Sequence, residues 1–321
     1  MRRNDSRGAA LLTVLLLVAV IAVVAAGALE RLRVSTRLAA NAGALDQARG
    51  FAFAAETLAT TRVSALLQRN RDRVALVGGW NERPFTLPVP GGLASAQVSD
   101  GSGCFNLNGL VTRAGEGRYA AFAPGVERFA RLIRLVGAPG SAEAIAAATA
   151  DWIDSDDATL PGGAEDGNYQ GYRTGGTLMA DASELRAVGG VTPEVWQALK
   201  PWVCALPAAE PIAVNVNTLP PERAPLIAAL LPDGNVEAVR TALLRRPALG
   251  YESSSEFWNA ASFGGGAAGG PQAVGLTDVT TKWFALRIEV TLGRTRLTER
   301  ALVDARTLPA RLVSRQWGDP A

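Results

Sequence analysis

Residues 8–33, GAALLTVLLLVAVIAVVAAGALERLR, decide the architecture of this 321-residue chain. From Ala9 to Ala28 there are twenty residues without a charge. At about 1.5 Å of rise per residue a helix of that length spans roughly 30 Å, the thickness of a bilayer's hydrocarbon core. A secretory signal has a shorter apolar core of about 7 to 15 residues, yet Ala26-Gly27-Ala28 imitates its small-x-small cleavage site. A retained anchor is therefore the leading reading, and a discarded signal stands as its alternative. Arg2, Arg3 and Arg7 before the run face Arg31, Arg33 and Arg37 after it, so charge leaves the orientation open.

Downstream the chain is globular in composition: 48% of its residues are apolar and its formal net charge is only +2. That balance gives no overall basic field for nucleic acid. The absence of histidine removes Ser-His-Asp and Cys-His catalysis and imidazole metal ligands together. Lys200 and Lys282 are the only lysines. Composition points away from an enzyme.

Helical patterning continues from Leu29 to about Asn70, with Phe51, Ala55, Leu58, Ala65 and Leu66 on one stripe and Arg49, Glu56, Arg62 and Arg69 outside it. After Gly78-Gly79 the signals change. RPFTLPVPGG (83–92) and ASAQVSDGSGCFNLN (94–108) read as two strands around a Pro-Gly-Gly turn, and KWFALRIEVTLGRTRLTERALVDA (282–305) reads as a hairpin. Between them the chain looks almost wholly helical. Asp181 with Glu184 and Ser253 with Glu256 have capping-box spacing, and Thr192-Pro193 is a cap followed by a first-turn proline. Gly264 to Gly270 reads as a flexible loop.

The expected fold class is α+β: a long N-terminal transmembrane and amphipathic helix packed on a small antiparallel sheet, with a large helical domain inserted between the sheet's hairpins. The expected segments are a basic leader (1–8), a membrane helix (9–28), the helix extension and first strands (29–108), the insertion (109–281), returning strands (282–308) and a loose tail (309–321).

A short basic leader ending at Gly8, followed at once by the apolar helix, resembles the start of a type IV prepilin or pseudopilin. In that family a membrane prepilin peptidase cuts after the glycine, which implies cleavage between Gly8 and Ala9. Most mature pilins carry glutamate at their fifth residue, whereas Thr13 stands there in this chain; the lack of that carboxylate resembles the K-type pseudopilin of type II secretion. The segments SGCFNLNGL, DWIDSDD, GGAEDGNY, SELRAVGGVTPEVWQALKPWV and VNVNTLPPERAPLIAALLP are similar, in order, to that K type. The resemblance implies a minor pseudopilin of the inner membrane, its bulk in the periplasm. It would join the I- and J-type pseudopilins at the tip of the pseudopilus, among other pseudopilins, and support export of folded proteins across the outer membrane. The alternative is a membrane-anchored periplasmic binding module unrelated to secretion.

DWIDSDDATLPGGAED places Asp151, Asp154, Asp156, Asp157, Glu165 and Asp166 within sixteen residues that hold no lysine or arginine. Hard oxygen ligands on a Gly- and Pro-bent loop suit calcium, although the EF-hand spacing fails at Ala158. The resemblance also implies calcium, with Asp154, Asp156, Asp157, Glu165 and Asp166 as the expected ligand set; a solvated acidic loop is the other reading. Glycosidase-like use of the acids lacks an aromatic cleft. The segment 185–201 resembles a helix-hairpin-helix, but Asp181, Glu184 and Glu194 surround its turn and no nucleic-acid partner is expected. Cys104 and Cys204 form an even pair in an exported chain, read as a disulfide closing about 100 residues or as two buried thiols. Asn106, Asn108, Asn215 and Asn217 are expected to bond loop backbone. Trp152, Trp196, Trp202, Trp258 and Trp283 are expected to pack in the core.

Overall fold

The structure, a computed structural model, describes residues 5–260 and 270–318. Residues 1–4 of the leader and most of the glycine-rich 264–270 segment lie outside them. Helix α1 (Asp5–Arg69) runs unbroken through the Gly8–Ala9 junction. Its first half exposes large apolar side chains all round, from Leu11 to Leu38. Its second half buries Ala48, Ala52, Ala55, Ala59, Val63 and Leu67, a helical stripe of one face. The expected stripe is thus partly out of phase: Phe51, Leu58, Ala65 and Leu66 are only half-buried, and Glu56 is buried. Alanines occupy the contact because a helix laid closely on a sheet leaves no room for larger side chains.

Strands β1 (Phe85–Val89) and β2 (Gly92–Asp100) form the first hairpin. The expected second strand stops at Asp100, which acts as a latch instead. Asp100 Oδ1 accepts from the Ser102 N–H at 2.7 Å, and Oδ2 accepts from the hydroxyls of Thr218 and Thr281 at 2.5 Å each. Burial pushes this carboxyl above its ordinary range, against the pull of those donors.

The inserted unit therefore begins just after Asp100 and not at 109, because Phe105–Asn106 (β3) pairs inside it, parallel to β6 (Val203–Cys204). Nor is the unit wholly helical. A hairpin joins β4 (Val111–Gly115) to β5 (Arg118–Ala121), and β7 (Val214–Asn215) pairs with β8 (Thr277–Asp278). Helices α2 (Ala123–Leu135), α3 (Ala142–Ile153), α4 (Pro193–Leu199), α5 (Ala224–Ala228), α6 (Val236–Leu244), α7 (Ser254–Ala260) and α8 (Gly270–Gly275) complete it. They share one core around Phe129, Ile133, Ile153, Leu185, Leu199 and Phe257. Each such side chain contributes about 1.5–3 kcal/mol on burial.

Four amides hold the loops of this unit. Asn106 donates to the carbonyls of Ala208 and Glu210 and accepts from Leu206 N–H. Asn108 ties Met179 and Leu206, Asn215 ties Val74 and Thr281, and Asn217 ties Tyr251. Cys104 and Cys204 are disulfide-bonded, their Cα atoms 5.8 Å apart. Trp152, Trp196, Trp258 and Trp283 are buried and Trp202 is half-buried.

The chain returns through β9 (Trp283–Leu292), β10 (Thr295–Asp304) and β11 (Arg311–Trp317). The antiparallel sheet has the order β1-β2-β9-β10-β11. Alternation along β9 sets its two faces. Phe284, Leu286, Ile288 and Val290 pack with α1 and the adjoining strands, while Trp283 meets Leu206 and Ala208 of the inserted unit. The tail expected to be loose is an edge strand as far as Trp317, and residues 319–321 lie outside the described set. It is ordered because Ser314, Arg315 and Gln316 pair with Leu302, Ala301 and Arg300 of β10, and Gln316 reaches Asp181 across the domain junction at 3.1 Å.

Candidate functional site

Helix α3 begins at Ser141, whose hydroxyl accepts from Ala144 N–H, and ends at Asp154, whose extended backbone (φ −69°, ψ 173°) turns the chain away. Asp151 in the last turn and Asp154 one turn on share a face of the helix end. The carbonyl end of a helix favours positive charge. The chain then loops out and returns through 160–165. Leu160 N–H donates to Asp151 at 3.3 and 3.2 Å, and Ala164 N–H donates to Asp151 Oδ2 at 2.8 Å. This wrap needs Gly163: a Cβ there would stand 1.9 Å from Asp151 Oδ2.

The wrap delivers Glu165 to the helix end. Oxygens of Asp151, Asp154 and Glu165 come within 4.8 Å of one another, and all three residues are buried, 0%, 3% and 5% exposed. Asp154 Oδ1 and Glu165 Oε1 have no hydrogen-bond partner among the described residues. Burial, then the charges of Asp156, Glu165 and Asp151, pushes the Asp154 carboxyl up to about 7. Burial, then Asp151 and Asp156, pushes Glu165 up to about 7 as well. Asp151 is raised by burial, with its two backbone donors opposing. Three buried acids, two of them with an orphaned oxygen and with no cation among their contacts in the described residues, are destabilising as anions.

The other acids of the stretch stand elsewhere. Asp156 and Asp157 stay on the exposed loop, where Asp156 Oδ1 accepts from Ala158 N–H at 2.9 Å. Asp166 turns outward and accepts from the backbone and hydroxyl of Thr174 at 2.9 Å each; these two bonds, with a smaller pull from the facing Arg173, hold its carboxyl below the ordinary range. Asp151 takes the place that the sequence reading gave to these three. The signal for it was the i, i+3 spacing with Asp154 at a helix end, followed by Gly162-Gly163. Tyr169 closes one side, its ring centroid 5.5 Å from that of Trp152 and its hydroxyl accepting from Gly189 N–H at 3.0 Å.

The second functional feature is α1 itself. Its first half is exposed, apolar and long enough to cross a membrane, one such helix among the described residues. Thr13, where most pilins have an acid, donates its hydroxyl to Ala10 O at 2.9 Å within the helix.

Family models described as "Type II secretion system (T2SS), protein K" match residues 103–208 and 214–277. Type II secretion system protein K of Klebsiella pneumoniae is 36% identical, covering 98% of this chain and 97% of the relative. That of Pectobacterium carotovorum is 30% identical, covering 98% of each. The solved GspK-GspI-GspJ complex of the enterotoxigenic Escherichia coli type 2 secretion system contains a chain of the same fold. The match has a TM-score of 0.73 at 29% identity and covers 86% of this chain and 97% of that one.

Proposed function

This chain belongs to the type II secretion system protein K family, and from that membership we propose that it is the minor pseudopilin at the tip of the secretion pseudopilus. Residues 9–28 hold it in the inner membrane with the globular part in the periplasm, after cleavage between Gly8 and Ala9. It joins I- and J-type pseudopilins, and its work is mechanical: other components cut the leader and drive assembly. The observation that carries this is the whole-chain likeness to a protein solved within a K–I–J complex, on a chain whose exposed apolar helix runs without a break into the domain. Thr13 supports the tip position, because no carboxylate is present there to engage the amine of a neighbour. Co-purification of the detergent-extracted chain with I- and J-type subunits tests it. A stoichiometric three-subunit complex is expected, and a chain that elutes alone in their presence sinks the reading.

We infer further that Asp151, Asp154 and Glu165 hold a calcium ion. The donor set is hard oxygen, the orphaned Asp154 and Glu165 oxygens offer the ligand atoms, and irregular loop geometry suits an ion that accepts six to eight oxygens. The ion supplies the missing countercharge and fastens the end of α3 to the 160–165 loop. Calorimetric titration of chelator-stripped protein should show one saturable site, lost in Asp154→Asn. Absence of binding removes the metal.

A further inference from the structure

Helix α2 carries three arginines spaced one turn apart, Arg128, Arg131 and Arg134; Arg134 pairs with Glu143, and of the other two only Arg131 is paired among the described residues. Arg131 Nη1 donates to Ala229 O at 2.8 Å. Arg128 stands beside it with Nε and Nη2 both buried and both without a hydrogen-bond partner among the described residues. Those two nitrogens form the side edge of the guanidinium, whose parallel N–H bonds match the two oxygens of a carboxylate.

The setting of that edge is built. Gly125, one turn before Arg128, lets α2 lie against the turn at 107–110, since a Cβ there would meet Gly109 O at 2.6 Å. Opposite, Asn106 clamps the strap at 206–210 through the bonds described above. Between Gly109 of that turn, the segment 211–214 that follows the strap, and α5 lies a cavity of about 40 Å³ lined by Arg128 and by apolar side chains including Phe105, Pro211, Ile212 and Leu226. Arg128 is the one charged residue in its wall among the described residues. Asn106, the other polar side chain there, is already engaged on both its amide atoms.

We propose that Arg128 and this cavity form a seat for one carboxylate head group. The room equals about three waters at 10–15 Å³ each, enough for a planar carboxylate and little more. A neutral water satisfies an N–H but leaves the half-buried charge without a counterion, whereas a carboxylate supplies both. The phenyl ring of Phe122, 5.7 Å from the guanidinium carbon, covers the cation without neutralising it. Burial and the adjacent Arg131 charge pull the Arg128 pKa down, the mark of a cation in want of a partner. The carboxylate comes from a small organic acid or from an acidic side chain of another polypeptide, and the two sources share this recognition chemistry.

The test is thermal melting of the full detergent-solubilised chain at constant ionic strength. One arm titrates acetate, with chloride and acetamide as controls. The other titrates a blocked Ala-Glu-Ala tripeptide, with its glutamine counterpart as control. A saturable rise in melting temperature is expected with the carboxylates and not with the controls. It should vanish in Arg128→Met and require about tenfold more ligand in Arg128→Lys, which keeps the charge but loses the two-pronged edge. Tighter saturation by the tripeptide assigns the seat to a protein side chain, and response to acetate alone assigns it to a small acid. The proposal is overturned if neither carboxylate acts, if acetamide acts equally, or if Arg128→Met responds like the parent. Should the methionine variant not fold, the lysine comparison and the acetamide control decide by themselves.

Discussion

Arg315 on β11 grips Glu56 on α1 from 259 residues away, its Nε 2.8 Å from one carboxylate oxygen and its Nη2 2.9 Å from the other. The same Nε lies 3.3 Å from Glu299 on β10, a side chain with no exposure at all. The guanidinium also sits 4.6 Å from the centre of the Phe53 ring. The last strand and the first helix are thus joined by one cation between two acids, midway along the part of α1 that packs on the sheet.

Removing that cation leaves two acids facing each other. Arg315→Met should cost about 2–3 kcal/mol at pH 7.5, at the low end for a broken buried pair because the arginine is 31% exposed. Burial, followed by the hydrogen bond to Glu56 and its charge, pushes Glu299 up to about 7, with Arg315 pulling the other way. The folded chain therefore keeps a proton that the unfolded chain releases near pH 4.3. The contribution of Glu299 is greatest below that pH and declines as pH rises to about 7. Chemical denaturation at pH 5 and pH 7.5 should show the parent losing on the order of 1–3 kcal/mol across this window. Glu299→Gln should lessen the loss by the share of Glu299, the shares of Asp154 and Glu165 remaining, while keeping the Arg315–Glu56 pair.

The acidic cluster makes a crossing prediction. Asp154 and Glu165 are raised to about 7, so the metal-free chain loses stability as pH climbs from the ordinary carboxylate range to neutrality. Glu165→Gln removes part of the repulsion and should melt higher than the parent in chelator at pH 7.5. In calcium the order should reverse, because the parent alone gains the full binding energy, about 2.7 kcal/mol at a hundredfold excess over Kd. The gain should shrink toward pH 5, where protons compete with the ion. A variant that stays below the parent in chelator would show that Glu165 is held by contacts other than a cation.

The disulfide supports the parallel pairing of β3 with β6, where Asn106 stands opposite Cys204. It closes a loop of 100 residues, for which chain entropy gives about 4.7 kcal/mol. The double variant Cys104→Ser, Cys204→Ser should lose most of that in equilibrium denaturation. Amide exchange at Leu206, whose N–H donates to Asn106 Oδ1 at 2.9 Å, should quicken first. Unchanged exchange there would mean that the buried amides alone hold this strap.

What could be read in the sequence was what short stretches fix by themselves. Thr192 caps α4 by accepting from Val195 N–H, and Pro193 follows at its first turn. The hairpin of β9 and β10 follows its own alternation. What could not be read depends on partners far along the chain. Glu56 looked like a solvent residue until Arg315 arrived from β11, and the α1 contact face is written in alanines that carry little hydropathy signal. β11 reads Arg-Leu-Val-Ser-Arg-Gln-Trp without clean alternation, as suits a half-exposed edge strand. Asp151 was part of the acidic cluster by composition, but its place at the centre depends on a loop that closes over it only because residue 163 lacks a side chain.

The two halves of α1 should be separable by truncation. No side chain from Ala9 to Gly43 is buried, and packing begins with half-buried Ala44 and Leu45 and the fully buried Ala48. A chain that starts at residue 40 removes the exposed apolar helix and touches none of the core. It should sediment as a folded monomer without detergent and melt within a few degrees of the detergent-solubilised parent. A chain that starts at residue 57 also loses Ala48, Ala52 and Ala55 together with Glu56. That uncovers Ile288 and Val290 of β9 and leaves Arg315 with only Glu299. Uncovering two such side chains costs about 1.5–3 kcal/mol each, a large part of the stability of an ordinary domain. This shorter chain should aggregate or melt far lower. If both truncations behaved alike, the membrane-facing and sheet-facing halves of α1 would not be the independent units that their burial describes.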